Sequence, residues 1–348
     1  MIASNRDGAV RRWYRNTMAC LLAGACCAMA AAPPAAAEVR EVKLARQYGI
    51  HYLPLIVMEQ QKLIEKFAGQ AGLPDLKVSW TQLSGGAAGN DALLAGAIDF
   101  SAVGVGPLIQ IWDKSKGIVD IEGVAAVSDV PMTLVTRNPA VKSLQDFTDR
   151  DKIALPATKT SMQAVTLQIA AAKAWGRSEY GRLDKLTVSM KHPDAMAAML
   201  SGQGEITAHF TAAPYDYLEL EQPGMSKVLT SYDVYGSSAT LIVLCAGAKF
   251  RRDNPKAYGA VLAAMQAAMD LIRQDKRRAA EIYLEVTGEK TPIETMMKML
   301  NDPLIRFTTT PSATFPVAQF MHQVGRIQNR PSSWKDLFFP EIHGQPGS

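Results

Sequence analysis

The chain has 348 residues, of which 48% are hydrophobic and 20% are charged. This composition excludes a disordered chain, and the length suits a globular protein with two lobes that each bury a core. The formal net charge is +4, of which the first 37 residues contribute +3 and residues 38–348 contribute +1. A nearly neutral body excludes a general nucleic-acid-binding or anionic-lipid-binding surface.

The first 37 residues have the pattern of an export signal peptide. Four arginines precede the apolar run 18–32, and the small residues Ala35, Ala36 and Ala37 offer a cleavage site that would leave Glu38 first. The apolar run is too short for a spanning helix, and no later segment reaches the roughly 20 apolar residues that a membrane crossing needs. The sequence therefore predicts a soluble protein exported to the periplasm, with a lipid anchor at Cys26 as the alternative.

Cysteine usage agrees with a simple exported chain. Three of the four cysteines lie in the leader, so the mature chain keeps only Cys245 and has no internal disulfide. Cys245 ends the apolar run 241–245. We predict that it is a buried strand residue rather than a reactive thiol.

Past the leader, short apolar runs alternate with helix-like runs, and the pattern occurs twice. The first series of strand, helix, strand, helix and strand covers residues 39–45, 54–69, 76–80, 90–95 and 100–105. The second series covers residues 152–155, 160–175, 186–190, 193–200 and 205–210. Such alternation predicts a mostly parallel sheet covered by helices in each half, and hence two α/β lobes.

Two apolar runs, residues 131–137 and 239–245, read as strands that cross between the lobes and form a hinge. The rest of the chain reads as amphipathic helices that complete the first lobe, over residues 254–276, 277–287, 292–300 and 315–327. We therefore predict a signal peptide at 1–37, the first lobe at 38–134, the second lobe at 135–238, and a return to the first lobe with C-terminal helices at 239–348.

Three motifs carry a resemblance to a known family. They are the run Leu93-Leu94-Ala95-Gly96-Ala97-Ile98-Asp99-Phe100, the run 141–147 leading into the strand 152–156, and the repeat of the glycine-then-strand pattern at Gly202. With these motifs the chain resembles, over residues 39–328, the exported solute-binding proteins of ABC importers. The group is that of nitrate, sulfonate and taurine binding, which shares a fold with the NMT1/THI5-like proteins.

The resemblance implies a periplasmic-binding-protein type II fold, with two Rossmann-like α/β lobes joined by two hinge strands. It also implies the partners: a small-molecule ligand, and the permease and ATPase of an ABC transporter. We expect a monomer that binds no nucleic acid.

Two other function classes share features with this chain. A THI5-like pyrimidine-related enzyme or pyrimidine-binding protein has the same fold, but an intracellular synthase should carry no export signal, and its cysteine-rich motif is absent from a mature chain with one cysteine. A periplasmic sensor module is the other alternative. Adjacency of the gene to a permease and an ATPase would separate a sensor from an importer component.

Ligands of open α/β sheets sit beyond the carboxyl ends of the strands, so the loops after the strands supply the candidate binding residues. The stretch SGGAAGN, residues 84–90, places a hydroxyl and free backbone N–H groups at a helix start, where the helix dipole favours an anion. An alternative interpretation is that this stretch only caps the helix. The candidates are Tyr48, His51, Tyr52, Ser84, Gly85, Gly86, Gly106, Asp129, Thr158, Lys159, Thr160, Ser161, Thr211, Tyr215 and Tyr235.

These candidates predict a binding site for a small organic anion, a sulfonate or a carboxylate, and the tyrosines allow an aromatic one. Lys159 is the one obvious cation, whereas Asp129 would repel an anion unless it faces a donor. His192 beside Asp194 reads as a short-range pair without a nucleophile, and the histidines lack metal-ligand spacing. We predict a binding protein rather than an enzyme, with no metal and no cofactor.

Overall fold

The computed structural model describes residues 37–348. The predicted signal peptide lies outside the described residues, apart from Ala37. Across 37–348, no helix combines the length and the apolar character that a membrane crossing needs.

In residues 37–348, ten strands form two five-stranded sheets. The strands are β1 (Glu41–Arg46), β2 (Lys77–Gln82), β3 (Phe100–Gly104), β4 (Ile121–Asp129), β5 (Met132–Thr136), β6 (Ile153–Leu155), β7 (Thr187–Ser189), β8 (Ala208–Ala212), β9 (Ser226–Thr230) and β10 (Thr240–Gly247). The first sheet has the order β2-β1-β3-β10-β4 and the second the order β7-β6-β8-β5-β9. We call the part of the molecule built on each sheet the first and the second lobe.

Thirteen α-helices flank the sheets in the described range. They are α1 (Leu53–Gln60), α2 (Leu63–Gln70), α3 (Gly86–Leu94), α4 (Val105–Ser115), α5 (Met162–Trp175), α6 (His192–Ser201), α7 (Tyr215–Leu220), α8 (Ser231–Tyr235), α9 (Ala248–Asp253), α10 (Pro255–Gln274), α11 (Lys276–Thr287), α12 (Ile293–Asn301) and α13 (Thr314–Gln323). Short 3-10 segments lie at Ile50–Tyr52, Leu144–Asp146, Arg177–Glu179, Asp184–Leu186, Trp334–Leu337 and Pro340–Ile342.

The two sheets share one topology, and it is less parallel than the sequence predicts. In the first sheet β1 pairs in parallel with β2 and β3, whereas β10 is antiparallel to β3 and β4. In the second sheet β6 is parallel to β7 and β8, whereas β5 is antiparallel to β8 and β9. The alternation of strands and helices predicts only the parallel units, because the partners of β5 and β10 are distant in the chain.

The chain passes from the first sheet to the second between Asp129 and Met132, and returns between Tyr235 and Thr240. A continuous cluster of buried apolar side chains runs through both lobes. Helices α10 and α11 pack on α1 and α2 and thereby complete the first lobe. The start of α10 is tied to the start of the described chain, since the Glu38 carboxylate accepts the backbone N–H groups of Lys256 and Ala257 at 3.0 and 2.8 Å.

Several element boundaries differ from the prediction. The predicted helix 54–69 is two helices, because Lys62 adopts a left-handed backbone with φ 47° between them. Helix α3 begins at Gly86, four residues before the predicted start. The almost wholly buried strand β4 is missing from the prediction, since its sequence IEGVAAVSD lacks the alternation that marks a half-buried strand.

Cys245 is buried in β10, as predicted. Its thiol donates to the carbonyl oxygen of Ser101 at 3.2 Å, and burial raises the pKa of the thiol to about 12. A thiol held in its protonated form is a packing group rather than a nucleophile.

Candidate functional site

A small cavity of about 30 Å³ lies where the carboxyl ends of parallel strands from both sheets meet. Six of the predicted residues line it: Tyr48, His51, Tyr52, Ser84, Gly86 and Ser161. Polar side chains that the prediction left out also line it, namely Gln47, Gln163 and His192. No Lys, Arg, Asp or Glu belongs to this lining, so the described wall of the cavity combines polar and apolar side chains and carries no charged one.

Several helices begin at the cavity wall, among them α3 from the first lobe and α5 from the second. Helix α3 starts at Gly86, and its N-cap residue Gly85 has no side chain that could cap the helix. The exposed hydroxyl of Ser84 does not cap the helix either. Helix α5 starts at Met162, and Ser161 Oγ accepts the backbone N–H of Ala164 at 3.2 Å. The first turns of both helices therefore present unpaired N–H groups and partial positive charge to one space.

His51 is held in the cavity wall without a partner for one ring nitrogen. Its side chain is 3% exposed and its Nδ1 is buried with no hydrogen bond. Burial, with a smaller contribution from nearby His192, lowers the pKa of His51 to about 3. Gly49 makes room for the ring, since a Cβ there would stand 2.4 Å from His51 Cε1. A buried nitrogen without a protein hydrogen bond is free to bind a ligand group.

His192 comes from the first turn of α6 in the second lobe. Its Nδ1 lies 2.8 Å from Nε2 of His209, and its Nε2 lies 3.3 Å from Nε2 of Gln163. Its ring stacks on Tyr215 with centroids 5.5 Å apart. Burial lowers the pKa of His192 well below its ordinary value, and His209 lowers it further. The neutral ring can donate or accept at the cavity, depending on its tautomer.

A match to a family model identifies the family of this chain. The model of the NMT1-like family matches residues 35–284. The chain belongs to the NMT1-like family. No curated protein sequence matches the chain.

Solved structures with the same fold include three anion-binding proteins. The alkanesulfonate-binding protein SsuA from Xanthomonas axonopodis pv. citri, bound to MOPS, is 17% identical, with 85% of this chain and 96% of that chain covered and a TM-score of 0.67. The periplasmic aliphatic sulphonate binding protein SsuA from Escherichia coli is 18% identical, with 87% and 92% covered and a TM-score of 0.63.

The periplasmic nitrate-binding protein NrtA from Synechocystis PCC 6803 is 16% identical, with 86% of this chain and 84% of that chain covered and a TM-score of 0.65. At these identities the likeness shows the fold. The predicted family and the predicted periplasmic-binding-protein fold are thus confirmed for this NMT1-like protein.

Other predicted residues lie next to the cavity without lining it. Gly85 faces the second lobe, where a Cβ would be 3.6 Å from the carbonyl oxygen of Pro156. The N–H of Gly106 contacts Met162 Sδ at 3.3 Å. Thr211 is buried beneath the cavity, with Oγ1 3.2 Å from His192 Nδ1.

The loop before α5 contributes less than predicted. Thr158, Lys159 and Thr160 are not part of the cavity lining. Lys159 is exposed, has a left-handed backbone with φ 63°, and its carbonyl oxygen accepts from the Arg326 guanidinium. The predicted cation is thus not part of the described cavity wall.

The last three predicted residues make protein contacts instead. The Tyr215 hydroxyl donates to Glu289 at 3.1 Å, and the Tyr235 hydroxyl pairs with Thr166. Asp129 forms an ion pair with Arg306 at 2.7 Å, at the crossing between the sheets. The Asp129 carboxylate faces hydrogen-bond donors, but Asp129 does not line the cavity.

Gly86 has a packing role that the sequence does not reveal. A Cβ at Gly86 would stand 2.7 Å from Pro107 Cγ and 2.9 Å from Pro107 Cβ. Glycine is therefore required for the contact between α3 and α4, whatever the cavity binds. Replacing Gly86 would test this contact and the ligand site at once, so Ser84 is the cleaner probe.

A larger cleft of about 630 Å³ lies elsewhere on the first lobe, near Asp129 and between apolar Met269 and basic Arg273 and Lys276. The Asp129 carboxylate at its edge is already satisfied by Thr240, Ser312 and Arg306. The smaller cavity is the better candidate site, because there a buried ring nitrogen lacks a partner and two helix N-termini converge.

Proposed function

We propose that this protein is an exported substrate-binding protein that captures a small organic anion, a sulfonate or a carboxylate, between its lobes and delivers it to an ABC importer. One observation carries the proposal: two helix N-termini, one from each lobe, begin at a cavity whose described lining has no acidic side chain. Partial positive charge without a competing carboxylate favours a negative ligand group.

Neutral donors supply the remaining contacts of the proposed site. The hydroxyl of Ser161 accepts one backbone N–H, so its own proton stays available for a ligand. The exposed hydroxyl of Ser84 lies on the opposite wall. His51 adds the buried nitrogen that has no protein partner. A ligand oxygen that accepts from both lobes stabilises their contact, so binding and closure are coupled.

The size of the cavity supports a small charged group. Its volume of about 30 Å³ corresponds to about two water molecules. A carboxylate group has three heavy atoms, and nitrate or a sulfonate group has four, so each is only slightly larger than two water molecules. A larger body, including an aromatic one, requires the lobes to stand further apart around the two crossing segments.

The comparison proteins support the cellular role. The E. coli and Synechocystis proteins are described as periplasmic binding proteins. Together with the leader pattern of residues 1–37, they support a periplasmic location and a role in binding.

A ligand panel tests the proposal directly. We expect methanesulfonate, ethanesulfonate, acetate or nitrate to raise the melting temperature, because a ligand that binds only the folded state stabilises it. Neutral cytosine serves as the comparison for the pyrimidine alternative. Stabilisation by cytosine and by none of the anions would contradict the proposal.

Ser84→Ala tests whether the Ser84 hydroxyl on the cavity wall binds the anion. We expect it to weaken binding of the stabilising anion by about 1–3 kcal/mol, the value of a hydrogen bond to a charged group. The melting temperature without ligand should be unchanged, since the Ser84 side chain is exposed and caps no helix. Ser178→Ala, at an exposed position outside the lining, is the control. Equal calorimetric affinity of both variants would remove Ser84 from the site.

Processing of the leader is a separate prediction. We expect the exported protein to begin at or near Glu38, because the Glu38 side chain holds the start of α10 and belongs to the globular body. Intact mass spectrometry of periplasmic protein measures the start. A lipid-modified start at Cys26 would show the anchored form instead.

A further inference from the structure

His192 is the first member of a buried hydrogen-bonded chain that leads away from the cavity. His192 Nδ1 lies 2.8 Å from His209 Nε2, and His209 Nδ1 lies 2.6 Å from Glu219 Oε1. The side chains of His209 and Glu219 are fully buried. The other carboxyl oxygen of Glu219 has no hydrogen-bond partner. Because the three groups contact in series, the proton on one link constrains the next.

The number of protons on this chain decides what His192 offers to the cavity. Each of the two links holds one proton. With two protons in total, the Glu219 carboxylate accepts from His209 Nδ1, and His209 Nε2 accepts from His192 Nδ1. His192 Nε2 is then a bare acceptor, to which the Gln163 amide nitrogen at 3.3 Å can donate.

A third proton reverses the direction of the hydrogen bond between His192 and His209. Burial disfavours a second proton on the His192 ring, so the third proton lies on His209 or on Glu219. On Glu219 it lies on Oε1, in the link to His209, because Oε2 has no hydrogen-bond partner that could accept the proton. In both cases His209 Nε2 donates to His192 Nδ1. His192 must then carry its proton on Nε2, where it becomes a donor toward the cavity. Gln163 accepts from it through its amide oxygen when its side-chain amide is turned over, until a ligand oxygen takes that place.

We propose that Glu219 and His209 are positioning residues that set the hydrogen-bond polarity of His192, so that the cavity takes up an anion only when the chain holds its third proton. This inference rests on the proposed function, since it assigns the donor at the second-lobe wall of the same site. It also links two binding events: whenever the cavity binds an anion, the chain holds one additional proton, and that proton stays on the protein.

Burial favours the three-proton state at neutral pH. It lowers the pKa of His209 and of His192 and raises the pKa of Glu219, so each group tends toward its neutral form. Since the pKa of Glu219 is raised, the third proton is present below that raised value and is lost as the pH rises through it. The affinity for an anion should therefore fall on the alkaline side.

Other titratable groups surround the chain. Asp216 lies on the same helix as Glu219, is buried, and accepts from Thr133 Oγ1 at 2.8 Å on β5. Tyr215, also on α7, stacks on His192 and donates to Glu289. His51 faces His192 from the first lobe. Burial raises the pKa of Asp216 to about 7, so its titration must be separated from that of Glu219.

The chain can be tested without a ligand. In the mature protein labelled with ¹⁵N-histidine, NMR reports which ring nitrogen of each histidine carries the proton, and His192→Gln assigns the signal. Between about pH 6 and about pH 9 we expect His192 to change from an Nε2-protonated to an Nδ1-protonated tautomer. In Glu219→Gln the tautomer should not change with pH, because glutamine does not titrate. Asp216→Asn, the neighbouring buried acid outside the chain, should keep the change.

Titration with methanesulfonate tests the consequence for binding. We expect the affinity of the parent protein to fall by up to about tenfold per pH unit on the alkaline side, the limit for one linked proton. The affinity of Glu219→Gln should be independent of pH. A His192 tautomer that is constant with pH in the parent protein overturns the inference even if methanesulfonate binds, as does an unchanged pH slope in a folded Glu219→Gln. Failure of methanesulfonate, acetate and nitrate to bind at any pH, with the tautomer change present, overturns the proposed function and the linked uptake.

Discussion

Replacing Gly104 with valine is expected to weaken anion binding by about five- to a hundredfold while both lobes stay folded. Gly104 ends β3 in the first lobe, and a Cβ there would stand 2.8 Å from Met162 Cβ at the start of α5 in the second lobe. The clash therefore falls on the contact between the lobes, at a residue that also lines the cavity. Within the first lobe a Cβ at Gly104 makes only ordinary contacts, 3.5 Å from Pro107 Cδ and 3.6 Å from the Leu241 carbonyl oxygen. The backbone of Gly104, with φ −65° and ψ 158°, is extended and open to any residue.

Overpacking costs roughly 1–3 kcal/mol. This cost destabilises only the arrangement in which the two lobes are in contact, and the expected loss of affinity follows from it. Calorimetry with methanesulfonate measures the affinity, and small-angle scattering at saturating ligand measures the compactness. Gly259→Val on α10 is the control, because a Cβ at Gly259 meets nothing within 4 Å. If Gly104→Val bound as tightly as the parent and scattered identically, contact between Gly104 and Met162 would have no part in binding.

Arg306→Ala is expected to destabilise the protein by about 2–3 kcal/mol at neutral pH, and by less in acid. Asp129 is fully buried where the chain leaves the first sheet, and Arg306 donates to its carboxylate at 2.7 Å. Removing one partner of a buried pair costs roughly 3–5 kcal/mol. The Arg306 side chain is 49% exposed, so solvent screening reduces that cost.

The pH dependence has a definite sign. Burial already raises the pKa of Asp129 above its usual value, and loss of Arg306 raises that pKa further. Below the pKa of an unfolded aspartate, about 3.9, the carboxyl group is neutral in both states and the loss of the cation costs little. As the pH rises, the folded variant must hold either an unpaired charge or an extra proton, so its stability falls.

Urea unfolding at about pH 7 and about pH 4 measures this difference. Arg273→Ala removes an exposed pair with Asp270 and should cost less than about 1 kcal/mol at either pH. An equal loss for Arg306→Ala at both pH values would show that Arg306 acts through its contact with Ser238 or through packing, and not through its charge.

Much of the proposed site can be predicted from the sequence. Ser84 and Ser161 each follow a strand and precede a helix, and the position of a loop after a parallel strand predicts which edge of the sheet it joins. His192 obeys the same rule, since it follows β7 and opens α6. The prediction leaves His192 out because its neighbour Asp194 suggests a local pair, whereas Asp194 pairs with Lys191 at 3.5 Å.

Other features have no local signature. Glu219 and His209 are ten residues apart and belong to different elements, so only the packing of α7 on β8 places their side chains 2.6 Å apart. Likewise, the partner of Asp129 is Arg306, 177 residues away in sequence. The sequence raises the question of what neutralises Asp129, and the fold supplies the cation.

By itself, the sequence determined the alternation of strands and helices, the repeat of that alternation in two lobes, the burial of Cys245 and the loops that follow the parallel strands. These features depend on the spacing of apolar residues and on glycine at helix ends, which act over a few residues. Only the tertiary structure decided that β10 and β5 run antiparallel in their sheets, that Gly86 and Gly104 are needed for contacts with Pro107 and Met162, and that His192 reaches Glu219 through His209. Such contacts join residues far apart in the chain, and their distances are set by how the lobes pack rather than by any local pattern.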